Sequence, residues 1–389
     1  MPSKVSQKPH VLILGAGLGG MTLAQALRKQ GITFEIFERD ESLHSRFPGW
    51  CIFLHRVVKD LELSFPDDLP PIKVTSHLQP LDLPAEACVY DHGEKVSYKS
   101  TDEKRSVRAH RHRLRGWLST NLNVQFGKRL TRIEERDSSV TLHFQDGTLA
   151  TGDILVGADV RKHLVPAQEH LLAPVPVGFI IGEVTMNKEQ YTRQLDLAHS
   201  AWVVDGEGSR AMTMLHYVEP DANSARYYWM VWWPDEAAIQ EPYWTASASK
   251  EKMHAFAMEK IKSLDPKFRE SFELTPVEGI LAPPIVLRDI LLRSLPNDRR
   301  ITLLGDAAHT MAPFRGEGGD HALRDAINLS RALANSTNDD LVKHLRGYQD
   351  EMLARTTPSV ILSRAAALDD CSATRKAMEG WFEHPQASL

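Results

Sequence analysis

Cysteine is scarce in this chain of 389 residues: Cys51, Cys88 and Cys371 stand far apart and offer none of the close pairs that zinc sites or redox dithiols require. A reducing, cytoplasmic compartment fits that usage. An excess of one charge sign is also lacking, since 46 Lys and Arg face 51 Asp and Glu for a formal net charge of -5, with no dominant basic block. This balance argues against nucleic acid or an anionic membrane as the partner, and for a small molecule. There is no long apolar run either. The most apolar early stretch, Val11 to Leu27, is broken by glycines and follows a polar start without a cleavable small-residue site, so it reads as a buried strand and helix rather than a membrane span or signal peptide. Internal repeats and low-complexity tracts are absent from the sequence.

What is present is a chain that is 42% hydrophobic and 25% charged, enough for a substantial core in two domains that share an interface. The run His10-Val-Leu-Ile-Leu14 stops at Gly15-Ala-Gly-Leu-Gly-Gly20, after which Leu23, Ala24 and Leu27 recur at helical spacing. The segment Thr33 to Phe37 reads as the next strand and ends at Glu38 and Arg39. This is the strand, glycine turn, helix, strand and acid of a dinucleotide fingerprint. Gly15 and Gly17 let the backbone approach a pyrophosphate, with Leu18 a further candidate contact, the helix N-terminus attracts the anion, and Gly20 permits close helix–sheet packing. Glu38 suits the adenosine ribose hydroxyls. The unit alone does not separate NAD from FAD.

A second apolar strand, Arg300 to Leu304, runs into Gly305-Asp306-Ala-Ala-His309, then Pro313-Phe-Arg-Gly316-Glu-Gly318-Gly319 and a helix bearing Ala322, Leu323, Ala326 and Ile327. Together these blocks resemble the G-D-A-A-H…P-x-x-G-x-G segment of the single-component FAD monooxygenases, the flavoprotein aromatic hydroxylases. The resemblance implies that Asp306 holds the FAD ribityl chain and that Pro313, Gly316, Gly318 and Gly319 lie beside the flavin ring. The family usually has Gln where Glu317 stands, which predicts a second negative charge near the ring. His110-Arg-His-Arg-Leu114 is similar to the family's H-R-x-x-L element, whose arginine contacts the flavin and falls on Arg111. With Arg108, Arg113 and Arg115 nearby, a plain basic helix face is the alternative reading. Arg46 and Gly49, in Ser45 to Trp50, fall in a stretch that passes the flavin in relatives. Asp153-Ile-Leu-Val-Gly-Ala-Asp159 resembles a further family segment, but Val160 to Leu164 follow at once, as though about five residues of that motif were missing.

The flavin elements come from both ends of the chain, so the expected fold is α/β: a discontinuous Rossmann-like FAD domain (1–75, 100–175 and 276–340), an antiparallel β-sheet substrate domain (76–99 and 176–275) and C-terminal helices (341–389) that brace the two. Strands are expected at Ser200 to Val204, Arg210 to His216 and Arg226 to Trp233, the last with Tyr227, Trp229, Val231 and Trp233 on one face and Tyr228, Met230 and Trp232 on the other. One face lines the substrate pocket, or both serve as packing. The C-terminal helices read as Leu341 to Leu362 and Ala365 to Phe382, interrupted at Thr357-Pro358. His216 and Tyr217 are candidates to orient the substrate or move a proton, against the plainer reading of two structural side chains.

The resemblance implies FAD as cofactor, NAD(P)H as transient donor, no metal, and oxygen transfer from a flavin C4a-hydroperoxide to a small aromatic or polycyclic metabolite. The setting would be secondary metabolism or xenobiotic inactivation, in a monomer or weak homo-oligomer. Other readings stay open: another FAD-dependent reductase or oxidase, or a degenerate flavin-binding protein.

Overall fold

Four consecutive apolar residues buried on both sides, as Val11–Leu14 are, need a sheet covered by helices above and below. The computed structural model, which describes residues 8–158, 172–240, 242–292, 294–295 and 299–383, places them at the centre of such a sheet. Its order is β18 (Ile301–Leu303), β11 (Ile154–Gly157), β1 (Val11–Leu14), β2 (Phe34–Phe37) and β7 (Val124–Gln125), every pair parallel. Leu14 pairs with Gly157 and Gly157 with Leu303, so the turns that follow these strands emerge along one edge. The shortened motif from Asp159 to Leu164 lies outside the described residues.

The helices are α1 (Leu18–Gln30), α2 (Val58–Ser64), α3 (Arg111–Leu118), α4 (Lys188–Leu197), α5 (Lys250–Ile261), α6 (Pro266–Glu273), α7 (Asp306–His309), α8 (Gly318–Ala334), α9 (Leu341–Leu368) and α10 (Cys371–Glu383). α1 packs against α8, and their apolar faces join the strands in one core.

A second sheet runs in the order β13 (Val177–Asn187), β16 (Ser224–Pro234), β15 (Ser209–Val218), β14 (Ala201–Gly206), β4 (Glu86–Asp91) and β5 (Glu94–Lys99). It is antiparallel except where β14 meets β4. The alternation in β16 divides the faces as the sequence predicts. Trp229, Val231 and Trp233 pack beneath α5 and α6 with Met253 and Phe272, while Met230 and Trp232 turn toward Ala312 and Phe314. Gly178 and Gly182, opposite Trp233 and Trp229 on β13, make room for the two indoles: a Cβ there would stand 2.1 and 2.2 Å from the rings.

Between the two sheets lies a ribbon of β3 (Cys51–Leu54) and β6 (Val107–His110), which feeds directly into α3. A three-stranded sheet of β8 (Leu130–Arg136), β9 (Ser139–Phe144) and β10 (Leu149–Gly152), and a pair of β12 (Leu172–Pro174) with β17 (Arg288–Ile290), complete the strands among the described residues.

The expected break at Thr357-Pro358 is absent, for α9 continues through Pro358 to Leu368. A proline inside a helix costs about 3 kcal/mol through a lost hydrogen bond and a ring clash, and here anchors along the helix outweigh it. The Tyr348 hydroxyl donates to the Leu303 carbonyl at 2.9 Å, Arg355 pairs with Asp325 at 2.6 Å, Ser363 donates to the Ala312 carbonyl at 2.6 Å and Arg364 pairs with Asp289 at 2.6 Å. Among the described residues no helix is long and apolar enough to cross a membrane.

Candidate functional site

The first glycine turn is held from within. Glu38, at the end of β2, is 1% exposed, and its two carboxylate oxygens accept from the Ala16 N–H at 2.9 Å and the Asp40 N–H at 3.0 Å. A carboxylate has about four lone-pair positions, so each oxygen keeps acceptor capacity after fixing the turn. Arg39 and Arg46 are exposed, Arg46 pairing with Asp40 at 2.6 Å. The glycines differ in purpose. A Cβ on Gly20 would sit 2.0 Å from the Gly15 carbonyl oxygen, so this position enforces close packing of α1 on β1. A Cβ on Gly17 would meet nothing within 4 Å, and no side chain caps the helix there. The open face of Gly17 and the N-terminal N–H groups beginning at Leu18 thus form a cradle for an anion.

The second turn lies alongside. Gly19 of α1 abuts Leu304, and Gly305, at φ +60°, fits against Ala322 of α8. Asp306 is exposed although its neighbours Gly305, Ala307 and Ala308 are buried. It emerges at the carboxyl edge of the parallel sheet, where such sheets bind ligands. Pro313 begins a short helical turn, Gly316 closes it at φ +64°, and Gly318 and Gly319 open α8, with Gly319 tight against Ile52.

Glu317 is 2% exposed, yet it adds no uncompensated negative charge. Arg315 grips both its oxygens at 3.0 Å, and Arg56 approaches to 3.4 Å. The expected second charge near the ring is therefore neutralised in place.

Nor do the arginines around His110 make one solvated face. Arg108 belongs to strand β6 and is 2% exposed, and Arg115 is 5% exposed. Arg111 opens α3 beneath Gly49, donates from Nη1 to the Pro48 carbonyl at 3.0 Å, and leaves its Nε buried without a partner. An orphaned buried donor carries a penalty of about 1–3 kcal/mol, which a cofactor acceptor would remove. With the open face of Gly17 and the exposed Asp306, this makes the residues present a fit for FAD.

His216 and Tyr217 lie where β15 slips register between Leu215 and Tyr217, a bulge that re-aims His216 out of the sheet. His216 stacks on His110 with centroids 4.8 Å apart, and His110 is followed by His112 at 5.8 Å. Burial, with His110, Arg108, Arg226 and His112 adding to it, pushes the His216 pKa down to about 3; burial, Arg113, His112 and Arg108 push His110 down to about 4. Both imidazoles are therefore neutral at pH 7, and His216 Nε2 is buried with no partner. Tyr217 is half-buried and its pKa is raised, chiefly by burial and then by Glu219. Cys51, on β3, remains a thiol because burial raises its pKa against the opposing charges of Arg108, Arg111 and Arg113.

A base whose folded pKa is depressed takes up its proton more readily in the unfolded chain. Stability is therefore greatest above the unfolded value of about 6.5 and declines as pH falls toward the folded value. His216→Phe should flatten this decline in melting temperature between about pH 6.5 and pH 4; melts of unchanged slope would remove His216 as a contributor.

Several residues escape sequence reasoning. Trp50 stacks on Tyr228 at 4.7 Å and 13°, and its indole N–H donates to Glu183. Asp325, fully buried in α8, accepts from the Gly305 N–H at 2.8 Å and meets His309 Nε2 at 2.5 Å, while Arg355 pairs with its other oxygen. Burial alone would raise the Asp325 pKa, but His309 and Arg355 outweigh it and hold it at about 2. Its one sequence signal is a carboxylate set within the apolar stripe of Ala322, Leu323, Ala326 and Ile327.

The profile of the FAD binding domain family matches residues 118–360, and that of an NAD(P)-binding Rossmann-like domain matches residues 13–50. An FAD-dependent monooxygenase of Trichoderma harzianum is 43% identical over 373 residues, covering 91% of this chain and 92% of the relative. The 6-hydroxynicotinate 3-monooxygenase of Bordetella bronchiseptica is 27% identical, with 90% and 89% covered. Among solved structures, an FAD-containing monooxygenase of Photorhabdus luminescens superposes with a TM-score of 0.75 at 25% identity, covering 95% of this chain and 99% of that one. The HpxO protein of Klebsiella pneumoniae, complexed with FAD and uric acid, superposes at 0.70 with 21% identity and 96% and 93% coverage, a likeness of fold.

Proposed function

The chain belongs to the FAD-dependent monooxygenases, and from that premise we propose that it uses NAD(P)H and O2 to hydroxylate or epoxidise a small aromatic or polycyclic metabolite. The observation that carries this reading is the meeting of two glycine turns at one edge of the parallel sheet, with the open face of Gly17 and the exposed Asp306 beside them. When bound, FAD supplies the redox chemistry that takes up reducing equivalents and activates O2.

The protein's share is to bind, orient and exclude water. Gly15, Gly17, Leu18 and Gly20 hold the pyrophosphate at the N-terminus of α1, Glu38 and Arg39 the adenosine end, and Asp306 the ribityl hydroxyls. Gly49 and Arg111 border the ring, with Arg46 further out on the same loop. Pro313, Gly316, Gly318 and Gly319 would set the N-terminus of α8 beside it, where the partial positive charge of the helix end would favour negative charge. The aromatic wall of Trp50, Phe47 and Tyr228 keeps water from the reacting region. His216, held neutral and with no hydrogen-bond partner at Nε2, is placed to orient a substrate by a hydrogen bond, with Tyr217 against it at 4.8 Å.

The test is to purify the protein, record its visible spectrum, and follow NAD(P)H oxidation and O2 uptake with a panel of phenolic, indolic and polycyclic compounds. Products should gain one oxygen by mass. A yellow protein that consumes no O2 with any of them would point to a reductase instead. Asp306→Ala should weaken FAD binding by about tenfold or more, because hydrogen bonds to a charged group contribute about 1.5–3 kcal/mol each. Full flavin occupancy in this variant at limiting FAD would displace Asp306 from the site.

A further inference from the structure

We propose that the protein associates into a two-fold dimer through the outer face of α9, the ridge of Ile361 and Leu368 on each copy seated in a cavity at the α9–α10 elbow of the other. The helix is apolar on two opposite sides. Leu345, Met352, Val360 and Ala367 belong to an inner seam that is buried. On the outer side Ala354, Pro358, Ile361, Ala365 and Leu368 recur at alternating spacings of four and three and are all exposed, Ile361 to 52% and Leu368 to 40%. This is the period of a seam that packs against another helix. From Met352 to Leu368 the only charged residues are Arg355 and Arg364, and both turn inward, to Asp325 and Asp289. A helix face that stays in water carries charged or polar side chains, whereas a helix that is apolar all round is normally covered.

The surface on either side of the ridge extends it. On one flank Arg364, set between Ile361 and Leu368, ties α9 to β17 through Asp289, and Ile285, Val286 and Leu291 near the ends of β17 are exposed as well. On the other flank Leu362, Ala365 and Ala366 line a cavity of about 450 Å³, whose walls also carry Arg315, Asp369 and Lys376.

A second copy of the chain fits this surface. A two-fold interface presents one patch to itself, so it works when ridge and hollow lie side by side and when charges of both signs stand at the rim. Here the apolar ridge borders the cavity directly, and Asp369 and Lys376 on its walls are of opposite sign. An anionic membrane would instead meet Asp369 and Asp370. The ridge runs about 21 Å at 1.5 Å per residue on a helix about 10 Å wide. That strip is roughly a quarter of the about 800 Å² per partner of a standard interface, so the flanks must join in and the dimer belongs to the weak class, with a micromolar dissociation constant.

The inference does not depend on the flavin chemistry, and its test reads mass rather than turnover. Sedimentation equilibrium of the purified holoprotein from about 1 to 200 µM should show a monomer passing into a dimer. Leu368→Glu and Ile361→Glu, both at exposed helical positions, should each weaken association by at least about a hundredfold, because a carboxylate would be buried against apolar surface. Circular dichroism and flavin content check that each variant is folded. Leu63→Glu and Leu149→Glu, at exposed leucines on α2 and β10, should leave the dimer as it was. A wild-type protein that stays monomeric throughout overturns the proposal, as does a dimer that survives both ridge substitutions. Co-flotation with phosphatidylserine vesicles tests the rival occupant: wild-type protein that stays monomeric, floats with the vesicles and loses this in Leu368→Glu would replace the second copy by a lipid surface.

Discussion

Gly17→Val is expected to abolish flavin binding, by at least about a hundredfold, while leaving the apoprotein folded. The backbone at Gly17 has φ -76° and ψ -173°, extended geometry that valine adopts freely, and a Cβ there meets nothing within 4 Å. The apoprotein therefore loses only the small advantage of glycine at a helix N-cap, about 1 kcal/mol at most. The added methyls instead occupy the space that a pyrophosphate needs against the N-terminus of α1. Gly20→Ala is the contrasting control. Its Cβ would stand 2.0 Å from the Gly15 carbonyl oxygen, so α1 must lift from β1 and stability falls along with cofactor binding. Circular dichroism melts of both apoproteins, with FAD titrations by fluorescence quenching, separate the two cases. If Gly17→Val binds FAD as tightly as the parent, the cradle is not where the phosphates lie.

Asp325→Ala is expected to destabilise the fold by about 3–5 kcal/mol, because removing one partner of a buried ion pair leaves the other charge uncompensated. Arg355 would keep Glu351 at 2.8 Å but lose Asp325, and the Gly305 N–H and His309 would lose their acceptor. Asp325→Asn retains an acceptor for the Gly305 N–H and should cost less. The sign with pH follows from the depressed folded pKa of about 2. The stabilisation from Asp325 is fully present above the unfolded carboxylate value of about 3.9 and is lost as pH falls through the folded value. Chemical denaturation at neutral pH and again at about pH 3, between the unfolded and folded values, measures both effects. A variant with the parent's stability would show that the network contributes nothing net.

Much of the nucleotide side was legible from local chemistry. The apolar run before Gly15, the helical spacing of Leu23, Ala24 and Leu27, and the acid at Glu38 each carry their signal within a few residues, as do the strand and turn around Asp306. The faces of β16 followed from simple alternation. What stayed hidden depends on pairings far apart in the chain. Trp50 meets Tyr228, and Arg108 meets Leu215, only because the β3–β6 ribbon lies against the second sheet. The bulge that turns His216 out has no sequence mark, and Arg56 reaches Glu317 from a distant segment to join its neighbour Arg315. Pro358 misled because local propensity was outweighed by anchors at Tyr348, Arg355, Ser363 and Arg364.

That uninterrupted helix sets how the molecule can move. Its 28 residues span roughly 42 Å at 1.5 Å per residue. Near one end Tyr348 is moored to the nucleotide sheet, and at the other the Ala366 and Ala367 carbonyls are moored to Arg210 of the second sheet. It works as a spar, and swinging either sheet away from the other would tear its moorings. Passage to the reacting centre is thereby assigned to small local displacements, such as those of the exposed Phe47, rather than to a clamshell opening of the whole enzyme.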